Sequence, residues 1–176
     1  TIIEEDDAFT MVNAIFWKPE RFEAIESGGF YLSKTPEKWS SDWESVFVRG
    51  ATWVILRCVQ SGAELLYVNT HLDHISELAR VEGSKLIIDR IKELGREGAL
   101  PVIVTADFNS RAWQPPDEDV LAYPAPMIGN LLPPGGTVLG IYTEAGFRDA
   151  YREAGHVDRL DTNTFHGFYG EQMPPA

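Results

Sequence analysis

The chain has 176 residues, of which 44% are hydrophobic and 24% are charged. This length and composition predict a single domain with a core of its own and exclude a disordered tail. The 27 acidic and 15 basic residues give a net charge of −12, so bulk electrostatics would not hold a polyanion and a local cation would be needed. The apolar runs are far shorter than the roughly 18 residues that cross a bilayer, so no membrane span is predicted.

The cysteine content limits the disulfide bonds that the chain can form. The single Cys58 excludes an internal disulfide framework, and its apolar surroundings predict a buried thiol. The compartment stays open, since a cytoplasmic chain and a mature secreted chain would look alike at this level.

The N-terminal part of the chain is predicted to be β-structure. Residues 11–17 are typical of a strand, and residues 22–27 form a second β-compatible stretch. Gly28 and Gly29 are expected to break this stretch before residues 30–32 resume it.

The middle of the chain is predicted to be a hairpin followed by a helix. Residues 51–59 and 65–69 would pair antiparallel across a short turn. Ser76 would cap the start of the helix, and Gly95 or Gly98 would end it. The spacing of three or four residues predicts the inward face, made of Leu78, Val81, the Lys85 stem, Ile88, Ile91 and Leu94.

The last third combines one short strand with a long irregular region. The apolar residues 101–105 are typical of a strand that is covered on both faces. Residues 111–142 are rich in Pro and Gly and predict a substrate-side loop with a short helix near its end. Residues 143–155 are compatible with a further helix.

Polar side chains are concentrated at two predicted strand ends, residues 69–74 and 107–109. Because neighbouring strand ends meet at one edge of a sheet, we expect the two groups to share a pocket. Asp107 could accept a proton from water, and Asn109, pointing the same way on an extended segment, could hold that water. His71 could donate to a phosphoryl oxygen. Alternatively, Asp107 and Asn109 only cap a turn, and His71 is a hydrogen-bonded core residue.

Several motifs occur in a fixed order over most of the chain. They are N-A-I-F at 13–16, G-G-F-Y-L-S with T-P at 28–36, R-G-A-T-W at 49–53, N-T-H-L-D-H at 69–74, T-A-D-F-N at 105–109, G-F-R-D-A at 146–150 and T-F-H-G-F at 164–168. Together they resemble the endonuclease/exonuclease/phosphatase superfamily, the magnesium-dependent phosphodiesterases that include deoxyribonuclease I. The resemblance implies a four-layer α/β/β/α sandwich with two mixed, mainly antiparallel sheets.

The same resemblance implies an enzyme that hydrolyses phosphate esters as a phosphodiesterase, nuclease or phosphatase. Its cofactor would be Mg²⁺, or Mn²⁺ in its place. Asp107 would bind the metal and deprotonate the attacking water, Asn109 would hold that water, and His71 would contact the scissile phosphate. The substrate would be a nucleic acid, a nucleotide, a phospholipid or a sugar phosphate.

Further positions carry weaker implications. Arg49 would be another phosphate contact, and His74 and His166 would line the substrate pocket or act as structural hydrogen-bonding groups. Asp149 is expected to cap or brace its helix. Ala106 stands where the superfamily usually has Gly, which is tolerated if its φ is negative.

Residues 1–176 are predicted to be one domain of this type that looks like the central portion of a longer one. Superfamily members carry an early Asn and a metal-binding Glu before the matched region and an Asp-His pair after it, and none of these has a counterpart here. The fold is therefore expected to be incomplete at both chain ends. The remaining strands would come from residues outside this sequence or from another chain.

Two other functions remain as alternatives. A catalytically inactive binding or scaffold module would keep the sheet without the chemistry. A zinc hydrolase would use His71-x-Asp73-His74, the last part of the H-x-H-x-D-H motif of metallo-β-lactamase-like hydrolases. Asn69 stands in place of the first His of that motif, and Asn is a poor zinc ligand, which disfavours this alternative.

Overall fold

A computed structural model of the chain describes residues 13–110, 112 and 137–157. The chain divides into two compact units, Thr1–Asn109 and Ser110–Ala176, and each is described by itself. All the strands described below lie in the first unit.

The first unit contains one four-stranded mixed sheet. Its strands are β1 (Phe22–Tyr31), β2 (Gly50–Cys58), β3 (Glu64–His71) and β4 (Val102–Asp107), in the spatial order β1-β2-β3-β4. The pairs β1/β2 and β2/β3 are antiparallel, and β3/β4 is parallel. The predicted hairpin is confirmed as β2 and β3. The predicted α/β class with a mixed, mainly antiparallel sheet is also confirmed, and the described residues contain one sheet of the expected sandwich.

The strand predicted over residues 11–17 is wrong where the structure describes it. Residues 13–18 have no strand assignment, and Phe16 is 91% exposed. This segment is instead tied to the sheet by side chains, because the Asn13 amide donates to the Gly50 carbonyl at 2.8 Å. Residues 11 and 12 lie outside the described residues.

The expected break at Gly28 and Gly29 is also wrong, because β1 runs through both residues. The register shifts earlier, between Ala24 and Glu26. Gly28 pairs with Trp53 on β2, and a Cβ at Gly28 would lie 3.0 Å from Cζ2 of that indole. The glycine therefore leaves room for the indole to lie across the strand. The local tendency of glycine to occur in turns does not predict this contact.

The predicted helix is confirmed as α1 (Glu77–Leu94) with both of its caps. The Ser76 hydroxyl accepts a hydrogen bond from the Ala79 N–H at 3.1 Å, and Gly95 ends the helix. The predicted inward face was only partly right, since Leu78 is exposed. The buried residues of α1 include small ones beside the isoleucines and one arginine, and they are Ala79, Arg80, Gly83, Ser84, Ile87, Ile88 and Ile91.

The core lies between α1 and one face of the sheet. A Cβ at Gly83 would lie 3.3 Å from the side chain of Leu32, so the absence of a side chain at this position allows close packing of the helix. Along β3, Leu66 and Val68 are buried, and the alternation of a strand places His71 on the face away from α1. The imidazole of His71 is thereby kept out of the core, whereas Thr70 is buried.

Two burial predictions are corrected. β4 alternates between half-buried and exposed residues, and Ile103 is 45% exposed, so in the described part of the chain this strand is covered on one face only. Cys58 is half-buried, because it lies at the end of β2 beside the hairpin turn.

The second unit is described as two short helices, α2 (Thr137–Glu144) and α3 (Ala150–Glu153). The short helix near the end of the predicted loop is confirmed as α2, while most of residues 111–136 lie outside the described residues. Residues 143–155 do not form one helix, because Gly146 adopts φ +91° between α2 and α3. Asp149 caps α3, as predicted, by accepting from the Tyr151 N–H at 2.9 Å.

None of the helices in the described ranges is both long and apolar enough to cross a membrane.

Candidate functional site

The parallel pairing of β3 with β4 brings the two predicted polar groups together. His71 is the register partner of Asp107, and its Nε2 lies 3.5 Å from Oδ2 of that carboxylate. The next residue, Leu72, donates its N–H to the Asp107 carbonyl at 3.0 Å, which extends the strand pairing by one step. The expectation that residues 69–74 and 107–109 share one edge of the sheet is therefore confirmed.

Asp107 presents an accessible carboxylate at this edge. Its side chain is 64% exposed, and Oδ1 accepts a hydrogen bond from the Asn109 N–H at 3.0 Å. This contact is the turn cap of the structural alternative, and it leaves the carboxylate open to solvent. Turn capping and chemistry therefore do not exclude each other at this residue.

Asn109 does not point along an extended segment, contrary to the reasoning from spacing. It adopts φ +45°, a left-handed conformation that Asn tolerates better than most residues. Its side-chain amide donates to the Leu72 carbonyl at 2.9 Å. Asn109 therefore joins the ends of β3 and β4 and holds Asp107 in place.

His71 is partly shielded, with 30% of its side chain exposed. Burial lowers its pKa from the usual value, the charge of Arg49 lowers it further, and the carboxylate of Asp107 opposes the shift. At neutral pH the ring is therefore uncharged and has one N–H to donate. Such a group can donate to an anionic oxygen without adding a formal charge to the site.

Arg49 lies directly before β2, with 2% of its side chain exposed. Its Nη2 is 3.0 Å from Nδ1 of His74, and its Nε is 3.9 Å from Oδ2 of Asp73. Burial lowers the pKa of the guanidinium, and the negative charges of Asp73 and Asp107 oppose that shift. Arg49 is thus a buried positive charge behind the exposed edge.

Sequence reasoning considered Asp73 only as a zinc ligand and missed its buried hydrogen-bond network. Its carboxylate accepts from the Ile75 and Ser76 N–H groups at 2.8 and 2.7 Å. It also accepts from the Ser45 hydroxyl at 2.9 Å and from the Val46 N–H at 3.3 Å. An Asp three residues before a helix N-cap was the available signal, because such a carboxylate commonly binds the next backbone N–H groups.

Among the described residues of this site, the Asp107 carboxylate is a suitable ligand for a hard divalent cation. The Asp107 carboxylate supplies the oxygen ligand that Mg²⁺ prefers, and Mg²⁺ is commonly held by one or two carboxylates and several waters. No group of three His, Cys, Asp or Glu side chains able to hold a metal occurs within residues 13–110 and 137–157. Further metal ligands would therefore come from elsewhere in the protein.

The remaining positions considered in the sequence are Asn69, Ala106 and His166. Asn69 donates to the Ala14 carbonyl at 3.0 Å and accepts from Thr105 at 3.2 Å, so its amide is used to tie the sheet together. Ala106 lies in β4 without a positive φ, as required for its replacement of Gly. His166 lies outside the described residues.

Comparison with known proteins supports the resemblance through solved structures. No family model matches the chain, and no curated protein matches it. An endonuclease/exonuclease/phosphatase family protein from Bacteroides thetaiotaomicron is 41% identical, with a TM-score of 0.53 over 54% of this chain and 34% of that one. A mannosyl-6-phosphatase from the same species is also 41% identical, with a TM-score of 0.52 over 54% of this chain and 36% of the other.

A protein of the same family from Bacteroides vulgatus is 36% identical, with a TM-score of 0.52 over 54% of this chain and 36% of that chain. The chain thus spans about a third of the length of these solved structures. The predicted likeness to the endonuclease/exonuclease/phosphatase family is confirmed over about half of the chain.

Proposed function

We propose that this chain forms part of a metal-dependent hydrolase of phosphate esters, with its chemistry at the His71–Asp107 edge. The observation that carries the proposal is the 3.5 Å approach of the His71 Nε2 to an exposed Asp107 carboxylate at the ends of two parallel strands. A general base and an N–H donor side by side are what water attack on a phosphate ester requires. The likeness to a phosphatase supports the same reaction class.

The proposed reaction uses the two side chains in different ways. Asp107 accepts a proton from a water molecule as the water oxygen bonds to phosphorus, the bond from phosphorus to the leaving oxygen breaks, and the leaving oxygen takes up a proton from solvent. His71 donates its N–H to a nonbridging oxygen, where negative charge increases in the transition state. Asn109 keeps Asp107 in position through its backbone N–H, and we assign to it a contact with the water or a phosphate oxygen.

Magnesium, or manganese in its place, is the proposed cofactor. When bound, the cation would neutralise negative charge on the phosphate and on the leaving oxygen. Among the described residues, Asp107 would hold the cation. A chain with a net charge of −12 has particular need of such a cation to accept an anionic substrate.

Arg49, His74 and His166 are the proposed phosphate or substrate contacts. The Arg49 guanidinium is buried and bonded to His74, so it acts in this conformation through its positive charge and through that imidazole. His74 is half-buried and stacks on the ring of Phe47, with 5.6 Å between ring centroids. These contacts place a basic layer directly behind the exposed edge.

The first substrate class to examine is a sugar phosphate monoester. A structure that is 41% identical to this chain is a mannosyl-6-phosphatase, whose name indicates such a substrate. Nucleotides, nucleic acids and phospholipids are the other phosphate esters to compare with it.

The decisive experiment measures hydrolysis by the full-length protein that contains this segment. Hexose 6-phosphates, a nucleotide and a generic phosphodiester would each be offered with Mg²⁺, Mn²⁺, Zn²⁺ or excess chelator. We expect turnover with Mg²⁺ or Mn²⁺ and none in chelator. Full turnover in chelator, or turnover that follows stoichiometric Zn²⁺ alone, would refute the proposal. A folded protein inactive on every ester would favour the scaffold alternative.

A further inference from the structure

We propose that Asp73 is a positioning residue of this site, which acts through Arg49 to orient His74 as a hydrogen-bond donor toward the substrate. The proposal rests on the function proposed above and adds to it a residue and a direction of action. Three side chains carry it, namely the buried Asp73, the buried Arg49 and the half-buried His74, which contact one another in that order.

Charge and burial connect Asp73 to Arg49. Among the described residues, Asp73 is the only acidic side chain that is fully buried, at 1% exposure, and Arg49 and Arg80 are buried beside it. Arg80 donates to the Asp73 backbone carbonyl at 2.9 Å, so the Asp73 carboxylate remains as the partner of Arg49 at 3.9 Å. A guanidinium buried without a nearby negative charge is strongly disfavoured. Asp73 therefore allows Arg49 to remain behind the site.

The orientation of the Asp73 carboxylate is fixed by donors from two segments. Ile75 and Ser76, which follow β3, bind Oδ1, while Ser45 and Val46, which precede β2, bind Oδ2. Each oxygen thus faces two donors. In Asp73→Asn, an amide NH₂ group in the place of Oδ2 would face the Val46 N–H, which is itself a donor, and would weaken the contact with the segment before β2.

The contact between Arg49 and His74 fixes the form of the imidazole. A guanidinium can only donate hydrogen bonds, so Nδ1 of His74, 3.0 Å from Nη2 of Arg49, must be the acceptor. In the neutral ring the proton then lies on Nε2. The stacking of the ring on Phe47, with 23° between the planes, fixes its orientation as well. Arg49 thereby makes the Nε2–H of His74 the donor that we assign to an anionic substrate oxygen.

The first test reads the tautomer directly and does not depend on activity. In full-length protein labelled with ¹⁵N at histidine, we expect His74 to show the Nε2–H tautomer. In Asp73→Asn the ring should lose that preference and approach the tautomer mixture of free imidazole. The matched control is Asp89→Asn, the same change at an exposed carboxylate on α1 that pairs with Lys92. It should retain the wild-type tautomer.

The second test is a double-mutant cycle on kcat/KM per folded molecule. Asp73→Asn should lower kcat/KM by roughly 10²-fold, the effect of a misplaced group near the reacting atoms. His74→Ala should lower it similarly, and the double variant should be no worse than either single one, because Asp73 acts through His74. Asp89→Asn should leave kcat/KM near the wild-type value.

Two results would overturn the proposal. One is an unchanged His74 tautomer in Asp73→Asn, and the other is additive losses in the cycle. If Asp73→Asn does not fold, Ser45→Ala removes one donor to Oδ2 and should move both measurements in the same direction by a smaller amount. If the wild-type protein hydrolyses no phosphate ester, the proposed function fails, whereas the tautomer experiment still decides the role of Asp73.

Discussion

Asp107 is the last residue of β4, and Asp73 follows the neighbouring strand β3 by two residues. The two carboxylates nevertheless differ in exposure and in hydrogen bonding. Asp107 is 64% exposed and receives one backbone hydrogen bond, whereas Asp73 is 1% exposed and receives four hydrogen bonds. The first carboxylate can exchange a proton or bind a cation, and the second can only hold its neighbours. Exposure and donor count thus suit the first carboxylate to the proposed chemical role and the second to the proposed positioning role.

The largest effect is expected at Asp107. Asp107→Asn should reduce kcat/KM by about 10²–10⁴-fold, as expected for loss of a general base, while the exposed position keeps the change in stability small. Turnover and melting temperature would be measured on the same preparations. Asp89→Asn, which alters an exposed carboxylate paired with Lys92 on α1, is the control and should change neither quantity. A fall in stability without a fall in specific activity would assign Asp107 to turn capping.

His71→Ala tests the partner of the exposed carboxylate. Removing its N–H from the nonbridging oxygen should reduce kcat by about 10²–10³-fold, the loss typical of one transition-state donor. His71→Gln restores a donor and should recover part of the rate. If both variants lose stability equally and keep full specific activity, His71 is a structural residue and takes no part in the proposed chemistry.

Substitution of Asp73 should change the stability of the fold and the pH dependence of that stability. Burial alone would raise the pKa of Asp73, but its hydrogen-bond donors and the charge of Arg49 outweigh burial and lower that pKa. A carboxyl with a lowered folded-state pKa stabilises the fold above its unfolded value of roughly 4, and this contribution is lost as the pH falls through the folded value. Asp73→Asn should cost about 3–5 kcal/mol at pH 7.

The measurement is denaturant unfolding of wild type and Asp73→Asn between pH 2.5 and 7. The difference between the two curves should shrink toward acid pH. A difference that stays constant over this range would mean that the charge of Asp73 contributes nothing to stability.

The smallest effect is expected far from either aspartate. Gly28→Ala places a Cβ 3.0 Å from the Trp53 ring and should cost about 1 kcal/mol, with no change in specific activity. The same change in a Trp53→Phe background should cost less, because the smaller ring relieves the contact. Equal costs in the two backgrounds, measured by thermal unfolding, would show that the indole does not require a glycine at this position.

The sequence by itself determined the elements whose signals are local. The hairpin of β2 and β3 followed from two β-type runs across a short turn, and α1 followed from Ser76, Gly95 and the spacing between them. The convergence of His71 with Asp107 was also predictable, because neighbouring strand ends meet at one edge of a sheet. Both cap signals act within one helical turn, so the surrounding fold does not alter them.

Only the tertiary structure decided the features that depend on distant partners. Gly28 reads locally as a strand breaker, and it becomes a strand residue because the Trp53 indole lies across it. Asn109 follows β4 by two residues, yet it turns to bind the Leu72 carbonyl at the end of β3. Asp73 becomes a buried partner of Arg49 because a segment 27 or 28 residues earlier in the chain supplies two of its donors. Such contacts are set by packing between segments far apart in sequence, and a local pattern carries no information on them.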